Sequence, residues 1–250
     1  MKYKALILDL DGTTLVHGKE NMPSLRVTQA IAKARKIIHV CVATGRPLDL
    51  AMPVLSHLQL SGPCIINNGT LIYDPESKRY IHEVVLPKDA LPKIYAIARS
   101  HDVDGVLFDG KKDHVYAGGV PPEKVLSYYL PQIVPNRLQF VMDDLMKIPD
   151  VAVHKLDAWD KQYMSIDVTG KEASKLHGII EVARLLNVKT EEIIGIGDGY
   201  NDFPLLMASG LKIAMGNAVP ELKDVADFIA PSVEEDGVAV VIEKFILSAS

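Results

Sequence analysis

The stretch "LILDLDGTTL", from Leu6 to Leu15, sets a run of apolar residues directly before two aspartates. The apolar residues are continuous and do not alternate with polar ones, which is typical of a strand buried on both faces of a parallel sheet. Asp9 and Asp11 stand one residue apart where that strand ends. Burying two neighbouring carboxylates is costly, so their position indicates a functional role that offsets the cost.

Predicted strands and helices alternate in the first third and the last third of the chain. After the first strand, Ser24 is predicted to cap a helix whose apolar side includes Leu25, Ile31 and Ala32. Such alternation predicts an α/β fold in which helices cover a doubly wound, Rossmann-like parallel sheet, with functional groups at the carboxyl ends of the strands. The other predicted elements here are strands in "IIHVCVATG" (37–45), "PCIINNG" (63–69), "EEIIGIGDG" (191–199) and "LKIAMGN" (211–217), and helices near 48–58, 175–188 and 201–210.

The middle of the chain has a different pattern. Helices and short strands follow one another there without regular alternation, which predicts an inserted, smaller α+β domain with an antiparallel sheet. The predicted boundaries give a core of residues 1–82 and 169–250 and an inserted cap of residues 83–168. Within the insert, the predicted helices are "DALPKIYAIARSHD" (89–102) and "EKVLSYYL" (123–130), and the predicted strands are "GVLFDG" (105–110), "HVYAGG" (114–119), "VAVHKL" (151–156) and "YMSIDV" (163–168).

The composition is that of a globular protein with few classes of partner. The chain has 250 residues, of which 48% are hydrophobic, enough to bury a substantial core. Its net charge of −5 comes without a basic block, so we expect no nucleic-acid partner. No segment approaches the roughly 18 uninterrupted apolar residues of a spanning helix, so we expect no membrane partner and a cytoplasmic location. Cys41 and Cys64 are expected to be buried thiols, and the sequence leaves the oligomeric state open.

Polar residues follow four of the predicted strands, and in a doubly wound sheet such loops meet in one crevice. Carboxylates brought together there repel one another unless a cation lies among them, and an all-oxygen site suits Mg²⁺ bound with a substrate phosphate. Lys175, at the start of a predicted helix, would balance further negative charge. The pair Asn68-Gly69 is equally consistent with an ordinary turn. The strand-end residues are Asp9 and Asp11; Thr44, Gly45 and Arg46; Asn67, Asn68 and Gly69; and Asp198, Asn201 and Asp202.

Four motifs resemble, in order, those of the haloacid dehalogenase superfamily: "DLDGTTL", "ATGR", "SKLHG" and "GIGDGYND". The flanking sequence is similar to that of the Cof-like phosphatases of this superfamily, through the C-terminal segment "IAMGNAVPELKDVADFIAPSVEEDGVAVVIEKF". The resemblance implies a phosphatase that uses Mg²⁺, with a mixed cap domain inserted between the second and third motifs. One departure is Leu176, which stands where the family often has glycine after the lysine of the third motif.

The resemblance also implies roles for individual residues. Asp9 matches the nucleophile, which also binds the metal, and Asp11 matches the general acid/base, whose backbone carbonyl is a further metal ligand. Thr44 matches the hydroxyl that binds phosphate, and Lys175 matches the lysine that steadies nucleophile and phosphate. The remaining site residues are the acidic metal-site residues Asp198 and Asp202, the asparagine near the phosphate, Asn201, and the substrate-binding residues Gly45 and Arg46.

The aspartate pair fits hydrolysis in two steps. Residues i and i+2 of an extended segment point the same way, so Asp11 can face the same cleft as Asp9. A carboxylate that attacks phosphorus forms an aspartyl-phosphate and divides one difficult hydrolysis into two easier reactions. We therefore predict a Mg²⁺-dependent phosphatase that acts on a small phosphorylated metabolite such as a sugar phosphate or phosphoglycolate.

Two other functions are consistent with the same residues. A phosphotransferase or phosphomutase would pass the phosphoryl group from the aspartate to a sugar hydroxyl instead of to water. A phosphorylation-dependent signalling module of the receiver type also combines an acidic pair, a threonine and a lysine, although receivers are shorter and have no inserted domain. For the phosphatase, we expect the insert to set substrate specificity, and the candidate residues are Asp109, Lys111, Tyr116, His154, Lys155 and Trp159.

Overall fold

The computed structural model describes residues 2–16, 22–158, 160 and 162–249. Trp159 lies outside the described residues. The chain forms two compact units: the first comprises Met1–His82 and Lys175–Ser250, and the second is the segment Glu83–Ser174. The second unit continues past residue 168, and its last strand runs to Gly170. In the part of the chain that the structure describes, no helix has the length and apolar character that crossing a bilayer requires.

The strands and helices are numbered along the chain. The strands are β1 (Ala5–Leu8), β2 (His39–Val42), β3 (Cys64–Ile66), β4 (Leu71–Asp74), β5 (Arg79–Glu83), β6 (Val106–Phe108), β7 (Asp113–Val115), β8 (Ser127–Ile133), β9 (Val151–Asp157), β10 (Met164–Gly170), β11 (Ile193–Gly197), β12 (Leu211–Ala214) and β13 (Phe228–Ile229). The helices are α1 (Leu25–Ala34), α2 (Leu48–His57), α3 (Ala90–Ser100), α4 (Pro135–Leu145), α5 (Lys175–Leu186), α6 (Phe203–Ala208), α7 (Pro220–Asp224) and α8 (Gly237–Phe245).

The first unit is built on a five-stranded parallel sheet of order β13-β12-β11-β1-β2. β1 lies between β11 and β2, with Leu6 opposite both Ile194 and Val40. All four residues of β1 are fully buried, as expected for a strand covered on both faces. The predicted α/β fold with a Rossmann-like parallel sheet is confirmed. The carboxyl ends of β11, β1 and β2 therefore lie side by side at one edge of the sheet.

Helix α1 begins where the sequence predicts, because Ser24 caps it. The Oγ of Ser24 accepts a hydrogen bond from the backbone N–H of Val27 over 3.1 Å. The buried side of the helix differs in part from the prediction: Ile31 is buried, but Leu25 is 73% exposed and Ala32 is exposed. The buried residues keep the three- and four-residue spacing of a single helix face, which excludes those two positions. They are Val27, Ala30, Ile31 and Ala34.

The third predicted strand, β3, does not continue the ladder of the parallel sheet. It pairs with β4 in an antiparallel sheet of order β3-β4-β5. A parallel bridge between Ala43 and Ile65, with a hydrogen bond from the N–H of Thr44 to the carbonyl of Ile65 (2.9 Å), joins β3 to the segment after β2. The loop after β3 therefore lies beside the loop after β2, as the predicted site requires.

The second unit is built on an antiparallel sheet of order β7-β6-β8-β10-β9. Ile94 of α3 and Val141 of α4 share an apolar core with Ile166 of β10. Because side chains alternate along a strand, Ser165 and Asp167 lie on the opposite face of this sheet. The unit is an α+β structure with one apolar face and one face that carries polar groups.

Residues 123–130, predicted as a helix, instead lead into strand β8, so that prediction was wrong. Tyr128 and Leu130 are buried while the residue between them is only half-buried, which is the alternation of a strand. Pro131 follows inside β8, and a proline there has no backbone N–H to continue a helix. The helix of this region is α4, which the prediction missed and which starts at Pro135, where proline fits the first turn.

Candidate functional site

Three carboxylates meet at the carboxyl edge of the parallel sheet. Asp9 follows β1, and Asp198 follows β11, which pairs with β1. Asp202 ends the short 3₁₀ turn that comes next. One oxygen from each carboxylate lies within 4.8 Å of the other two, and each residue is at most 8% exposed. The acidic side chains that the sequence assigned to a metal therefore form one buried group.

The first residue of α5 places a positive charge in this group. Lys175 is 2% exposed, and its Nζ donates one hydrogen bond to Asp9 Oδ1 (2.6 Å) and another to Asp202 Oδ1. Burial alone would lower the pKa of Lys175, but the carboxylates of Asp202 and Asp9 outweigh it and hold the pKa above its ordinary value. The ammonium therefore stays charged and fixes one oxygen of Asp9.

The charge of this group is not balanced by the lysine. Burial raises the pKa of Asp9 well above its ordinary value, and the negative charges of Asp202 and Asp198 raise it further against the opposing effect of Lys175. One ammonium faces three carboxylates that are largely removed from water. A divalent cation would offset the remaining negative charge, and carboxylate oxygens are the ligands that Mg²⁺ prefers. The donor set therefore fits such an ion.

Asp202 is fixed by the backbone of its own loop. Its Oδ2 accepts hydrogen bonds from the N–H groups of Asp198 (2.9 Å) and Gly199 (3.0 Å), and its Oδ1 accepts from Lys175. A Cβ placed on Gly197 would lie 2.4 Å from Asp202 Cγ, so the carboxylate approaches the backbone where only glycine leaves room. Both oxygens of Asp202 are thus engaged in holding the loop and the lysine.

Two residues that contact Asp198 were not among the predicted site residues. Thr13 Oγ1 donates a hydrogen bond to Asp198 Oδ1 (2.7 Å). Asn217 Nδ2 donates to the carbonyl of Gly12 (2.8 Å) and lies 3.5 Å from Asp198 Oδ2, while Asn217 Oδ1 accepts from the N–H of Val233 (2.9 Å). Asn217 follows β12, so the rule that polar residues gather at strand ends could have located it. Thr13 stands inside the first motif and could have been included with it.

Asp11 is held by Arg46. The Nε of Arg46 donates to Asp11 Oδ2 (2.6 Å) and an Nη nitrogen donates to Oδ1, so the ion pair is bidentate. Hydrogen bonding to Asp11 raises the pKa of Arg46 above its ordinary value. The sequence assigned Arg46 to substrate binding, whereas the structure places its guanidinium on the residue assigned as acid/base.

The loop after β2 belongs to a second cluster of polar residues. Thr44 is 1% exposed, and its Oγ1 accepts a hydrogen bond from the N–H of Arg46 (3.1 Å). The N–H of Asn68 donates to the carbonyl of Thr44 (3.0 Å), and Asn201 Nδ2 donates to Asn68 Oδ1 (3.2 Å). A Cβ placed on Gly45 would lie only 3.0 Å from that same Oδ1. Asn68 therefore brings together Thr44, Gly45 and Asn201, which the sequence assigned to substrate binding.

The specificity candidates of the second unit have local partners. Asp109 Oδ1 accepts a hydrogen bond from the N–H of Lys111 (2.7 Å), within the turn between β6 and β7. The hydroxyl of Tyr116 donates to the carbonyl of a nearby turn (2.7 Å), and His154 Nε2 lies 2.8 Å from Thr169 Oγ1. Through these contacts, the three side chains contribute to the structure of the second unit.

Comparison with known proteins finds relatives over almost the whole chain. A family model of haloacid dehalogenase-like hydrolases matches residues 6–124 and 135–242. "Putative phosphatase YkrA" of Bacillus subtilis (strain 168) is 30% identical over 98% of this chain and 98% of its own length. From the same organism, 5-amino-6-(5-phospho-D-ribitylamino)uracil phosphatase YitU is 25% identical over 96% of both chains. A solved structure of a haloacid dehalogenase-like hydrolase from Bacteroides thetaiotaomicron gives a TM-score of 0.79 at 26% identity, covering 98% of this chain and 100% of the other.

Proposed function

The chain belongs to the haloacid dehalogenase-like hydrolases, and we propose that it hydrolyses phosphate monoesters of small metabolites with Mg²⁺ held at Asp9 and Asp198, beside the negative charge of Asp202. The family match confirms the resemblance of the four sequence motifs and the prediction of a hydrolytic enzyme. The observation that carries the proposal is the buried contact of Lys175 with Asp9 beside the other two carboxylates. The names of the relatives support the phosphatase class.

Residues of the first unit would hold the metal. We assign Asp9 and Asp198 as carboxylate ligands and the backbone carbonyl of Asp11 as a further ligand. Asp202, whose oxygens already bond to Lys175 and the backbone, contributes mainly negative charge. When bound, Mg²⁺ offsets negative charge on the transferred phosphoryl group.

The first step forms an aspartyl-phosphate on Asp9. Lys175 holds Oδ1 of Asp9, so we assign the attack to Oδ2. A bond forms between Oδ2 and phosphorus while the bond from phosphorus to the ester oxygen breaks. Asp11, in its acid form, gives its proton to the departing oxygen, which leaves as an alcohol.

The second step releases phosphate. Asp11, now a carboxylate, takes a proton from water while the water oxygen attacks phosphorus. The bond from phosphorus to Asp9 breaks, which restores the carboxylate and frees inorganic phosphate. The two hydrogen bonds from Arg46 fix the orientation of the Asp11 carboxyl group for this step. Thr44 and Asn201 are assigned to orient the phosphoryl oxygens.

We assign substrate selection to the second unit, acting as a cap. On the face of its sheet opposite α3 and α4, the hydroxyl of Tyr129 donates to Ser165 Oγ (2.9 Å) beside Asp167, which is 3% exposed. A small number of hydroxyl and carboxylate groups held at fixed positions is suited to binding a polyhydroxylated ligand. The relative YitU is named for a phosphorylated ribityl compound. We therefore propose a phosphorylated sugar or polyol as the substrate class, with phosphoglycolate as the smaller alternative.

A substrate screen tests the proposal. Purified protein with Mg²⁺ is incubated with a panel of phosphorylated metabolites, and released inorganic phosphate is measured. We expect turnover of one or more sugar or polyol phosphates, and none by the matched Asp9→Asn variant. Transfer of the phosphoryl group to an added sugar instead of water would assign a phosphotransferase. Failure of the folded, Mg²⁺-supplied protein to hydrolyse any monoester would contradict the proposal.

A further inference from the structure

Asn68 occupies a backbone conformation that few residues other than glycine adopt. Asn67 and Asn68 follow β3 with φ values of 51° and 56°, both in the left-handed region. Asparagine tolerates this region better than most residues, but two in succession at buried positions still carry a conformational cost. Asn68 is 2% exposed, so its amide is a polar group placed inside the protein. The site that Asn68 contacts gives this arrangement a function.

The contacts of Asn68 reach two separate loops of the candidate site. Its N–H binds the carbonyl of Thr44 in the loop after β2, and its Oδ1 accepts from Asn201 in the loop after β11. The absence of a side chain on Gly45 allows Oδ1 to approach that backbone. Through its backbone N–H and its side-chain Oδ1, this one residue links the two loops that we assign to the phosphoryl group.

We propose that Asn68 is a positioning residue for phosphoryl transfer, which holds Asn201 and the Thr44–Gly45 backbone in the arrangement that receives the phosphoryl oxygens. The role rests on the proposed function. A neutral amide suits this place because an aspartate of the same shape would set a further negative charge beside an anionic group. Misplacement of a binding group by about 1 Å can lower a rate by about a hundredfold, so a residue that fixes loop spacing has a measurable effect.

The neighbouring asparagine offers a matched control. Asn67 has the same left-handed conformation, but its Nδ2 donates to Thr70 Oγ1 (2.9 Å), within its own turn. Asn67→Gly and Asn68→Gly both keep a residue that accepts positive φ and both remove one amide. We expect Asn68→Gly to lower kcat/KM for p-nitrophenyl phosphate by about 10–100-fold and to weaken inhibition by orthovanadate, a transition-state analogue, by a similar factor. Asn67→Gly should stay within about threefold of the unaltered protein in both measurements, because the amide that it removes bonds within its own turn.

A second variant keeps the test decisive if Asn68→Gly unfolds under assay conditions. Asn68→Asp preserves shape and the acceptor for Asn201 but adds charge, so vanadate inhibition should weaken at least as much as in the glycine variant while circular dichroism stays native. Equal kinetics for the Asn67 and Asn68 variants, or a loss explained by the unfolded fraction, would overturn the proposal. If the unaltered protein hydrolyses no phosphate monoester, the proposed function fails. Calorimetric binding of orthovanadate then decides the role of Asn68: weaker binding by the Asn68 variants supports it, and equal or absent binding overturns it.

Discussion

Arg46 holds Asp11 by two hydrogen bonds, with Nε of Arg46 2.6 Å from Oδ2 of Asp11. A bidentate pair fixes the orientation of the carboxylate as well as its charge. The two side chains are 11% and 26% exposed, so water and salt screen the pair only in part. Since Asp11 is the proposed acid/base, Arg46 is placed to control how its carboxylate meets the leaving group and water.

Replacing Arg46 should therefore damage turnover most where proton transfer matters most. Arg46→Gln is expected to lower kcat/KM for a sugar phosphate by about tenfold or more, a part of what general acid–base catalysis contributes. The loss should be smaller for p-nitrophenyl phosphate, whose leaving group needs less protonation. Arg46→Lys keeps the positive charge but loses the paired N–H donors of the guanidinium. Its kcat/KM values should therefore resemble those of the glutamine variant more than those of the unaltered protein.

The control for Arg46 is Arg26, whose pair with Glu243 is about half exposed on both sides. Arg26→Gln should leave both substrates unaffected, because an exposed pair contributes little. Equal losses of Arg46→Gln on both substrates would argue that Arg46 binds the phosphoryl group, as the sequence alone indicates.

Removing the metal should abolish activity in an ion-specific way. With excess chelator, turnover should cease; added Mg²⁺ should restore it and Ca²⁺ should not. Calcium takes more oxygen ligands at longer distances, so it would engage both oxygens of Asp9, including the one assigned to attack. Activity is measured with p-nitrophenyl phosphate. Full activity in excess chelator would show that the reaction does not need a metal ion.

The charge imbalance at the site also predicts a change in stability. In chelator, Asp198→Asn should raise Tm by ~2–4 °C, because relieving a buried repulsion on the order of 1 kcal/mol shifts a chain of this size by that amount. The same variant should lose the rise in Tm that Mg²⁺ gives the unaltered protein. Differential scanning calorimetry with and without Mg²⁺ measures both. A variant that is less stable in chelator yet keeps the Mg²⁺ response would contradict the assignment of Asp198 as a ligand.

The positions of the carboxylates could be predicted because they follow from local sequence and sheet order. The continuous apolar run before Asp9 identifies a central parallel strand, and a parallel sheet puts the end of β11, with Asp198, beside it. The orientation of Arg46 could not be predicted in this way. A guanidinium binds a phosphate and a carboxylate in the same forked geometry, and its partner Asp11 is 35 positions away in sequence.

The second unit was harder to predict because its elements are short. The segment 123–130 has apolar residues that fit either a helix or a strand, and pairing of β8 between β6 and β10 decides in favour of the strand. The role of Asn68 is similarly set by contacts that no local pattern contains. The Asn-Gly pair predicts a turn, and only the position of Asn201 shows what the turn holds.

The proposed cap can be tested by removing it. Replacement of Glu83–Ser174 with a short Gly/Ser linker should leave a folded first unit that still binds Mg²⁺, because that unit has its own core. Discrimination among sugar phosphates should be lost, since a cap contributes selectivity by closing over the substrate and excluding water. Tyr129→Phe with Ser165→Ala is a milder change that should alter KM for sugar phosphates more than for p-nitrophenyl phosphate. Unchanged selectivity in both proteins would place specificity in the first unit.

Substitutions of the two aspartates in the first motif should cause different kinetic defects. Asp9→Asn removes the proposed nucleophile and should eliminate turnover of every phosphate monoester. Asp11→Asn keeps the proposed nucleophile and the backbone carbonyl but removes the proposed proton donor and base, so its defect should depend on the substrate. A sugar phosphate has a poor leaving group that needs the proton, whereas p-nitrophenyl phosphate releases a stabilised phenolate.

With the activated substrate, Asp11→Asn should separate the two chemical steps. The aspartyl-phosphate should still form on Asp9, but its hydrolysis should slow because no base takes the proton from water. Rapid mixing should then show a burst of p-nitrophenol approaching about one equivalent per active site, followed by a slow steady state. Asp9→Asn under the same conditions should give no burst. Uniform loss of rate on both substrates without a burst would argue that Asp11 has only a structural or metal-site role. The ion pair between Asp11 and Arg46 would then stabilise the loop and have no part in proton transfer.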